Sequence, residues 1–428
     1  MTVNYFRKKL RSQKRKTALM FFIGILIGGG ISFNIYYWYP LLQKQFELPM
    51  IAQFGKNNQP LKPEPTITTQ SSSKEETTTS TSEEDSSIKY RTNPMEFTKV
   101  DAKYQGLQQE LEGTISQYGV SGTILAIKDN KVVLHNNYGK ALEYSSNPLE
   151  STYMIASVQK LITSIMLMNL IEDGKIDLDT KLSTYYPNIP NSENITIDQM
   201  LSMTSGLFLS EKLSGTMSKE QSIEYVVNNV TYEPLEKWKY SDVNFFLLGA
   251  IIEKLSGVSY EEYFEKKIKT PLELEHTGFY DVYNPPLTMI PSYKMDDYGN
   301  VDPTPLFYSE SSLINELGTG NMYISTGDLV ILLQGLFDEK LVPKDIIKKV
   351  FTRNPASVSY TYKAGLYDQD TNYYGHGVFR GNEPTLVVNK DASEGVIFLS
   401  DVYTKDKRNV DLTKKLYQQV VNFQSTTN

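Results

Sequence analysis

Ser157-Val158-Gln159-Lys160 places a hydroxyl three residues before an amine. On a helix, residues three apart share a face, so Lys160 stands beside Ser157. A serine hydroxyl is a weak nucleophile until a base takes its proton, and a desolvated lysine is one such base. The pair opens an apolar run through Leu170 that is apolar on every side. Such a helix is expected to be buried, and a lysine entering it is costly unless something requires it there. The spelling alone is weak, because S-x-x-K recurs at Ser71 to Lys74 and Ser86 to Lys89 in low-complexity sequence.

Two further groups of residues offer partners. Tyr240-Ser241-Asp242 stands at the start of an apolar helix, with Tyr240 a phenol able to share a proton with Lys160. The plainer reading makes Ser241 or Asp242 the helix N-cap. Gly375-His376-Gly377 is followed by Val378, Phe379 and Arg380. A histidine between glycines reads as a turn residue or as a place where backbone approaches a ligand closely. Three histidines, at 135, 276 and 376, have no metal-ligand spacing, and no phosphate-binding glycine loop is present, so no metal or cofactor is expected. Ser157 also lacks the G-x-S-x-G elbow of a serine triad.

The elements that must position these residues follow in chain order. Val100 to Tyr118 has helical spacing. Gly122 to Lys128 and Lys131 to Tyr138 read as a hairpin around Asp129-Asn130. After the Ser157 helix, closed by Asp173-Gly174, come helical patterns at Ile197 to Met203, Lys219 to Asn228, Asp242 to Leu255, Tyr260 to Ile268 and Thr326 to Phe337. Tyr360 to Tyr367, Thr385 to Asn389 and Gly395 to Ser400 read as strands, and Asn409 to Phe423 as a closing helix. Strands at both ends and helices between predict an α+β body: one antiparallel sheet built from both chain ends, flanked by helices, with an inserted all-helical lobe. Ser157 falls at the junction of lobe and sheet, where clefts form.

The chain has 428 residues, enough for this body plus appendages, and no cysteine, which excludes disulfides and thiolate chemistry. Its net charge of −7 hides seven basic residues and no acidic one among the first sixteen, leaving −14 on the remainder. An acidic body argues against nucleic acid as a partner. Residues 1–16 read as a basic cytoplasmic tail and 17–42 as a transmembrane anchor with an aromatic belt at Tyr36 to Tyr39. The alternative, a cleaved signal peptide, lacks a small-residue cleavage site. Residues 43–94, rich in Ser, Thr and Glu, read as a disordered stalk, and the folded body spans 95–428 outside the cell.

Taken in order, S-V-Q-K at 157–160, Y-S-D at 240–242 and H-G-V at 376–378 resemble the serine β-lactamase and penicillin-binding-protein superfamily. The likeness is to its class C-like serine hydrolases and extends over roughly residues 100–425. The phrases Ile195 to Leu207, Tyr240 to Gly257 and Gly318 to Leu329 support it. The resemblance implies a β-lactamase/transpeptidase-like fold and a Ser157 nucleophile that is acylated and then hydrolysed, with Lys160 and Tyr240 relaying the proton. It implies an oxyanion hole from the Ser157 and Phe379 N–H groups, with Gly377 and Arg380 beside it. Two departures stand out. Asp242 replaces a common asparagine, and a carboxylate there favours the ammonium form of Lys160, shifting the burden to Tyr240. Val378 replaces the last glycine of a third motif that commonly reads Lys-Thr-Gly or His-x-Gly, narrowing the strand edge; a histidine there in place of a permanent cation weakens selection for a substrate carboxylate, which Arg380 is placed to restore.

These departures lean away from β-lactam hydrolysis. An Asp-bearing second motif resembles that of membrane-anchored D-alanyl esterases of Gram-positive bacteria. The expectation is an extracellular acyl-serine hydrolase acting on D-alanyl groups of a cell-envelope polymer, teichoic acid or peptidoglycan. The competing expectation is a catalytically weak penicillin-binding or scaffolding protein of the same fold.

Overall fold

The computed structural model describes residues 97–424, apart from 212, 214–216, 297–298 and 355–357. The expected tail, anchor and stalk, residues 1–94, lie outside the described residues.

Twelve strands form among the described residues. They are β1 (Gly122–Lys128), β2 (Lys131–Tyr138), β3 (Thr152–Met154), β4 (Leu207–Leu209), β5 (Val230–Tyr232), β6 (Thr277–Phe279), β7 (Met322–Ser325), β8 (Tyr362–Lys363), β9 (Leu366–Gln369), β10 (Asn372–His376), β11 (Glu383–Asn389) and β12 (Gly395–Ser400). Seven of them make one sheet in the order β2-β1-β12-β11-β10-β9-β8, with every pairing antiparallel. The N-terminal hairpin thus docks on the C-terminal strands, as the strand distribution predicts. Asp129 and Asn130 turn that hairpin with φ of 51° and 58°, a conformation that Asp and Asn tolerate.

Both faces of the sheet are covered, so β1 is buried at all seven positions and shows no polar alternation. Ile124 and Ala126 face α1 (Gln105–Ile115) and the terminal helix Arg408–Asn422, packing with Leu107, Leu111, Leu412 and Leu416. Leu125 and Ile127 face the larger core of the helical lobe. At the centre of that core is α2 (Gln159–Glu172), in which every residue from Gln159 to Ile171 is buried. It packs on α3 (Val243–Ser256), whose C-terminus Gly257 closes in the left-handed conformation.

Three differences from the sequence reading bear on the site. Ser157 lies in a 3-10 turn, Ala156–Val158, that precedes α2. The stretch 360–367 is not one strand. Ala364 and Gly365 take φ of 52° and 92° and fold it into the β8–β9 hairpin. The short strands β3, β6 and β7 form a second sheet in the order β3-β7-β6, which sequence patterning cannot register at three or four residues each. This second sheet delivers the chain to Ser157.

Candidate active site

The nucleophile is presented by a bend. β3 pairs with β7, the Ile155 N–H donates to the Met322 carbonyl at 2.9 Å, and Ala156 takes φ of 45°. That left-handed residue, uncommon for alanine, turns the chain from strand into helix at Ser157. Gln159 locks the turn: its amide donates to Asn321 Oδ1 and accepts from the Met322 N–H, both at 2.9 Å.

Three side chains converge there. Lys160 Nζ donates to Ser157 Oγ at 3.0 Å and to the Thr319 carbonyl at 3.3 Å. Tyr240 OH donates to Ser157 Oγ at 2.9 Å. Asp242 Oδ1 is 2.7 Å from Lys160 Nζ. The lysine is fully buried, whereas the Asp242 side chain is 63% exposed, so the ion pair is dry on one side and open to the cleft on the other. Asp242 occupies the N-cap position of α3 but makes no side-chain cap bond; its carboxylate faces Lys160 instead. Burial, and after it the Asp242 carboxylate, hold the Tyr240 phenol well above its usual range, while its bond to Ser157 works the other way.

An aromatic wall backs Tyr240. Tyr362 meets it edge-on at 5.9 Å, and Trp238 and Tyr367 complete the group at 6.2 Å and 5.0 Å from Tyr240 and Tyr362 respectively. The hairpin bearing Tyr362 and Tyr367 lies directly on the backbone of α2. A Cβ at Gly365 would stand 2.3 Å from the Leu161 nitrogen.

The third motif is placed differently from the sequence expectation. His376 ends β10 with its side chain on the terminal-helix face. There it stacks on Tyr374 and pairs with Glu383 at 3.2 Å. Glu383 in turn accepts from the Thr404 N–H and Asn409. His376 is therefore not among Ser157, Lys160 and Tyr240, because strand alternation sends it to the other face. Gly377 is the residue that meets Ser157: a Cβ there would be 2.7 Å from the Ser157 nitrogen. Val378 accordingly does not replace the contact glycine.

The expected Phe379 N–H donor is also corrected. β10 and β11 extend beyond the sheet as a hairpin closed by Arg380-Gly381, with φ of 43° and 88°. The Gly377 N–H donates to the Pro384 carbonyl and the Phe379 N–H to the Asn382 carbonyl, each at 3.0 Å. In an antiparallel ladder alternate residues point opposite ways, so the Val378 N–H points to the open edge of β10 beside the cleft. Sequence letters set the motif one residue off; the two-residue turn Arg380-Gly381 is the signal that would have corrected the count. Phe379 instead stacks on Tyr308 at 5.7 Å, and it and Arg380 line a cleft of about 750 Å³ shared with Tyr240, Asp242, Glu316 and Thr319. Thr319, which accepts from Lys160, was not singled out from the sequence.

Similarity to known proteins agrees with this geometry. A family model described as Beta-lactamase matches residues 100–416. PbpX of Bacillus subtilis (strain 168), named as a penicillin-binding protein, is 30% identical over 314 residues, 72% of this chain and 78% of PbpX. The teichoic acid D-alanine hydrolase of Staphylococcus aureus is 24% identical over 301 residues, 68% of this chain and 72% of that protein. Among solved structures, FmtA from Staphylococcus aureus superposes with a TM-score of 0.65 at 22% identity, covering 78% of this chain and 95% of FmtA. D-amino acid amidase from Ochrobactrum anthropi SV3 gives 0.61 at 18% identity, covering 74% and 96%. At those identities the structural likeness speaks to the fold. With its sheet order, its buried Ser157 helix and a family match over most of its length, the chain belongs to the beta-lactamase family.

Proposed function

We propose that the protein is an acyl-serine hydrolase of the cell envelope that removes D-alanyl groups from a polymer through an ester on Ser157. The observation that carries this reading is the convergence of Lys160 Nζ at 3.0 Å and Tyr240 OH at 2.9 Å on Ser157 Oγ. In acylation, Ser157 Oγ bonds to the substrate carbonyl carbon. Its proton passes to the Lys160–Tyr240 pair, and the ester carbonyl oxygen becomes an oxyanion facing the N–H groups of Ser157 and Val378. Collapse breaks the bond to the alcohol oxygen, which takes the proton. Water then attacks the acyl-enzyme with the same groups acting in reverse, giving the free acid and Ser157.

Asp242 gives the site its bias toward a D-alanyl group. The acyl carbon of that group sits next to a carbon bearing an ammonium, and Asp242 is a half-open carboxylate 2.7 Å from Lys160. A substrate ammonium at the cleft side of Asp242 pairs with the exposed side of that carboxylate. Arg380 on the cleft rim suits an anionic polymer backbone. The name of the Staphylococcus aureus relative, a teichoic acid D-alanine hydrolase, supports this substrate class. We place the body outside the cell, tethered by residues 17–42, on the basic-then-apolar order of the N-terminal sequence.

The test is D-alanine release from purified D-alanylated teichoic acid, compared with release from a D-Ala-D-Ala peptide, by wild type and Ser157→Ala. Ser157-dependent release from the ester is expected; absence of any Ser157-dependent fluorophosphonate or penicillin adduct would overturn the reading. The Lys160–Asp242 ion pair favours one second reading, a protein that is acylated but turns over slowly. A stable adduct with no product release identifies it.

A further inference from the structure

Among the described residues, six large hydrophobic side chains are exposed: Leu142, Tyr144, Tyr283, Leu287, Phe307 and Val378. Tyr283, Leu287 and Phe307 are 76%, 86% and 78% exposed. Single exposed apolar residues are ordinary, but the segments that carry these are linked to one another.

All six belong to segments joined at one end of the main sheet, where β2, β10 and β12 finish and β1 and β11 begin. Leu142 and Tyr144 follow β2 on the short helix Lys140–Tyr144. Tyr293 OH donates to Tyr144 OH at 2.6 Å, tying that helix to the 283–308 segment. Ser292 Oγ donates to the Arg380 carbonyl at 2.7 Å, and a Cβ at Gly381 would meet both Tyr293 and Leu306 within 3 Å. The 283–308 segment is thereby fastened to the hairpin that carries Val378. Leu287 is held beside β3 by the Thr152 N–H, which donates to the Thr288 carbonyl at 3.0 Å. Of these segments the hairpin lines the cleft, through Phe379 and Arg380, and Tyr308 at the end of the 283–308 segment stacks on Phe379.

We propose that this end of the domain is a membrane-docking surface that seats the cleft mouth on a lipid bilayer. The six side chains project from loops and a five-residue helix rather than from a flat helix or strand face. Such separate wedges suit headgroups and upper acyl chains, where Tyr, Phe and Leu partition well. The proposal rests on the reading that residues 17–42 anchor the chain. The connection from that anchor to the folded body is 52 residues long, 43 to 94, so the body cannot leave the neighbourhood of the bilayer. That holds the domain near the bilayer, so weak apolar contacts suffice to orient it.

The chain lacks cysteine, so one fluorophore can be placed at will. Leu287→Cys, Phe307→Cys and Lys348→Cys are labelled in the full chain and reconstituted into phosphatidylglycerol vesicles. Lys348 marks the other end of the sheet, beside Asp368, Lys390 and Asp391. Quenching by spin-labelled lipid at 287 and 307, with none at 348, is expected. Vesicle-bound chain with no quenching at 287 and 307, or equal quenching at 348, overturns the proposal. So does a label shielded from water but not quenched by lipid, which marks a protein contact. Chain that does not float with the vesicles overturns anchor and docking together. Ser157 labelling by a fluorophosphonate, run on each variant, reports the hydrolase reading separately.

Discussion

Ser157, Lys160, Tyr240 and Asp242 form a charge-balanced cluster in which each group limits the others. Lys160 is fully buried, so its charge is tolerable only with Asp242 beside it. Burial first, and the same carboxylate after it, hold the Tyr240 phenol above its usual range. Removing the charge by Asp242→Asn lowers the Tyr240 pKa, so the ascending limb of kcat/KM against pH is expected to move to lower pH; an unmoved limb removes Asp242 from the reaction. Tyr240→Phe is expected to lower the acylation rate by about 10²–10⁴-fold, measured with a small D-alanyl ester. His376→Ala is expected to leave that rate near wild type, since the ring faces Glu383 across the sheet. A loss as large as that of Tyr240→Phe would contradict the placement. Gly377→Ala brings a methyl to 2.7 Å from the Ser157 nitrogen, and the resulting shift of the nucleophile is expected to lower kcat about 10²-fold.

At the scale of elements, the site is held by two clamps on α2. One is the Gln159 amide, which ties the helix start to β7. The other is the β8–β9 turn, whose Gly365, at φ of 92°, rests on the Lys160–Leu161 peptide. Gly365→Ala is both strained and overpacked there, and is expected to cost about 1–3 kcal/mol in denaturant unfolding while lowering kcat through Lys160. Tyr362, on the same hairpin, buries a hydroxyl with no partner among the described residues. Tyr362→Phe is expected to leave stability unchanged or raise it by up to about 1 kcal/mol, because the phenyl ring keeps the packing and the unpaired group is gone.

For the whole molecule, two buried groups oppose each other in the response to pH. Burial lowers the His135 pKa to about 4 and raises that of Asp401 to about 7. Below its unfolded value near 6.5, His135 binds more protons in the unfolded chain, so its contribution falls on acidification down to about pH 4. Asp401 binds more protons in the folded chain between about pH 4 and 7, so its contribution falls as pH rises through that window. The two slopes cancel over most of that range. Asp401→Asn is expected to uncover the His135 slope: stability then drops from pH 6.5 toward 4 by at most about 1.4 kcal/mol per pH unit, read by denaturant unfolding at fixed ionic strength.

By itself the sequence determined the elements whose patterns are long. The alternation-free β1, the all-apolar α2 and the hairpin turn at Asp129-Asn130 follow from local composition, and their order implies a sheet closed by both chain ends. It also determined the Ser157–Lys160 neighbourhood, because helix geometry is local. What only the tertiary structure decided is which groups meet across elements. Asp242 was equally suited to capping α3 or pairing with Lys160, and the choice depends on where α2 lies. His376 and Phe379 were read by their letters, but strand alternation and the Arg380-Gly381 turn direct the His376 side chain and the Phe379 N–H away from Ser157. A side chain's identity is written in the sequence, whereas the face and edge it occupies depend on register, which is set by pairing with residues far away in the chain.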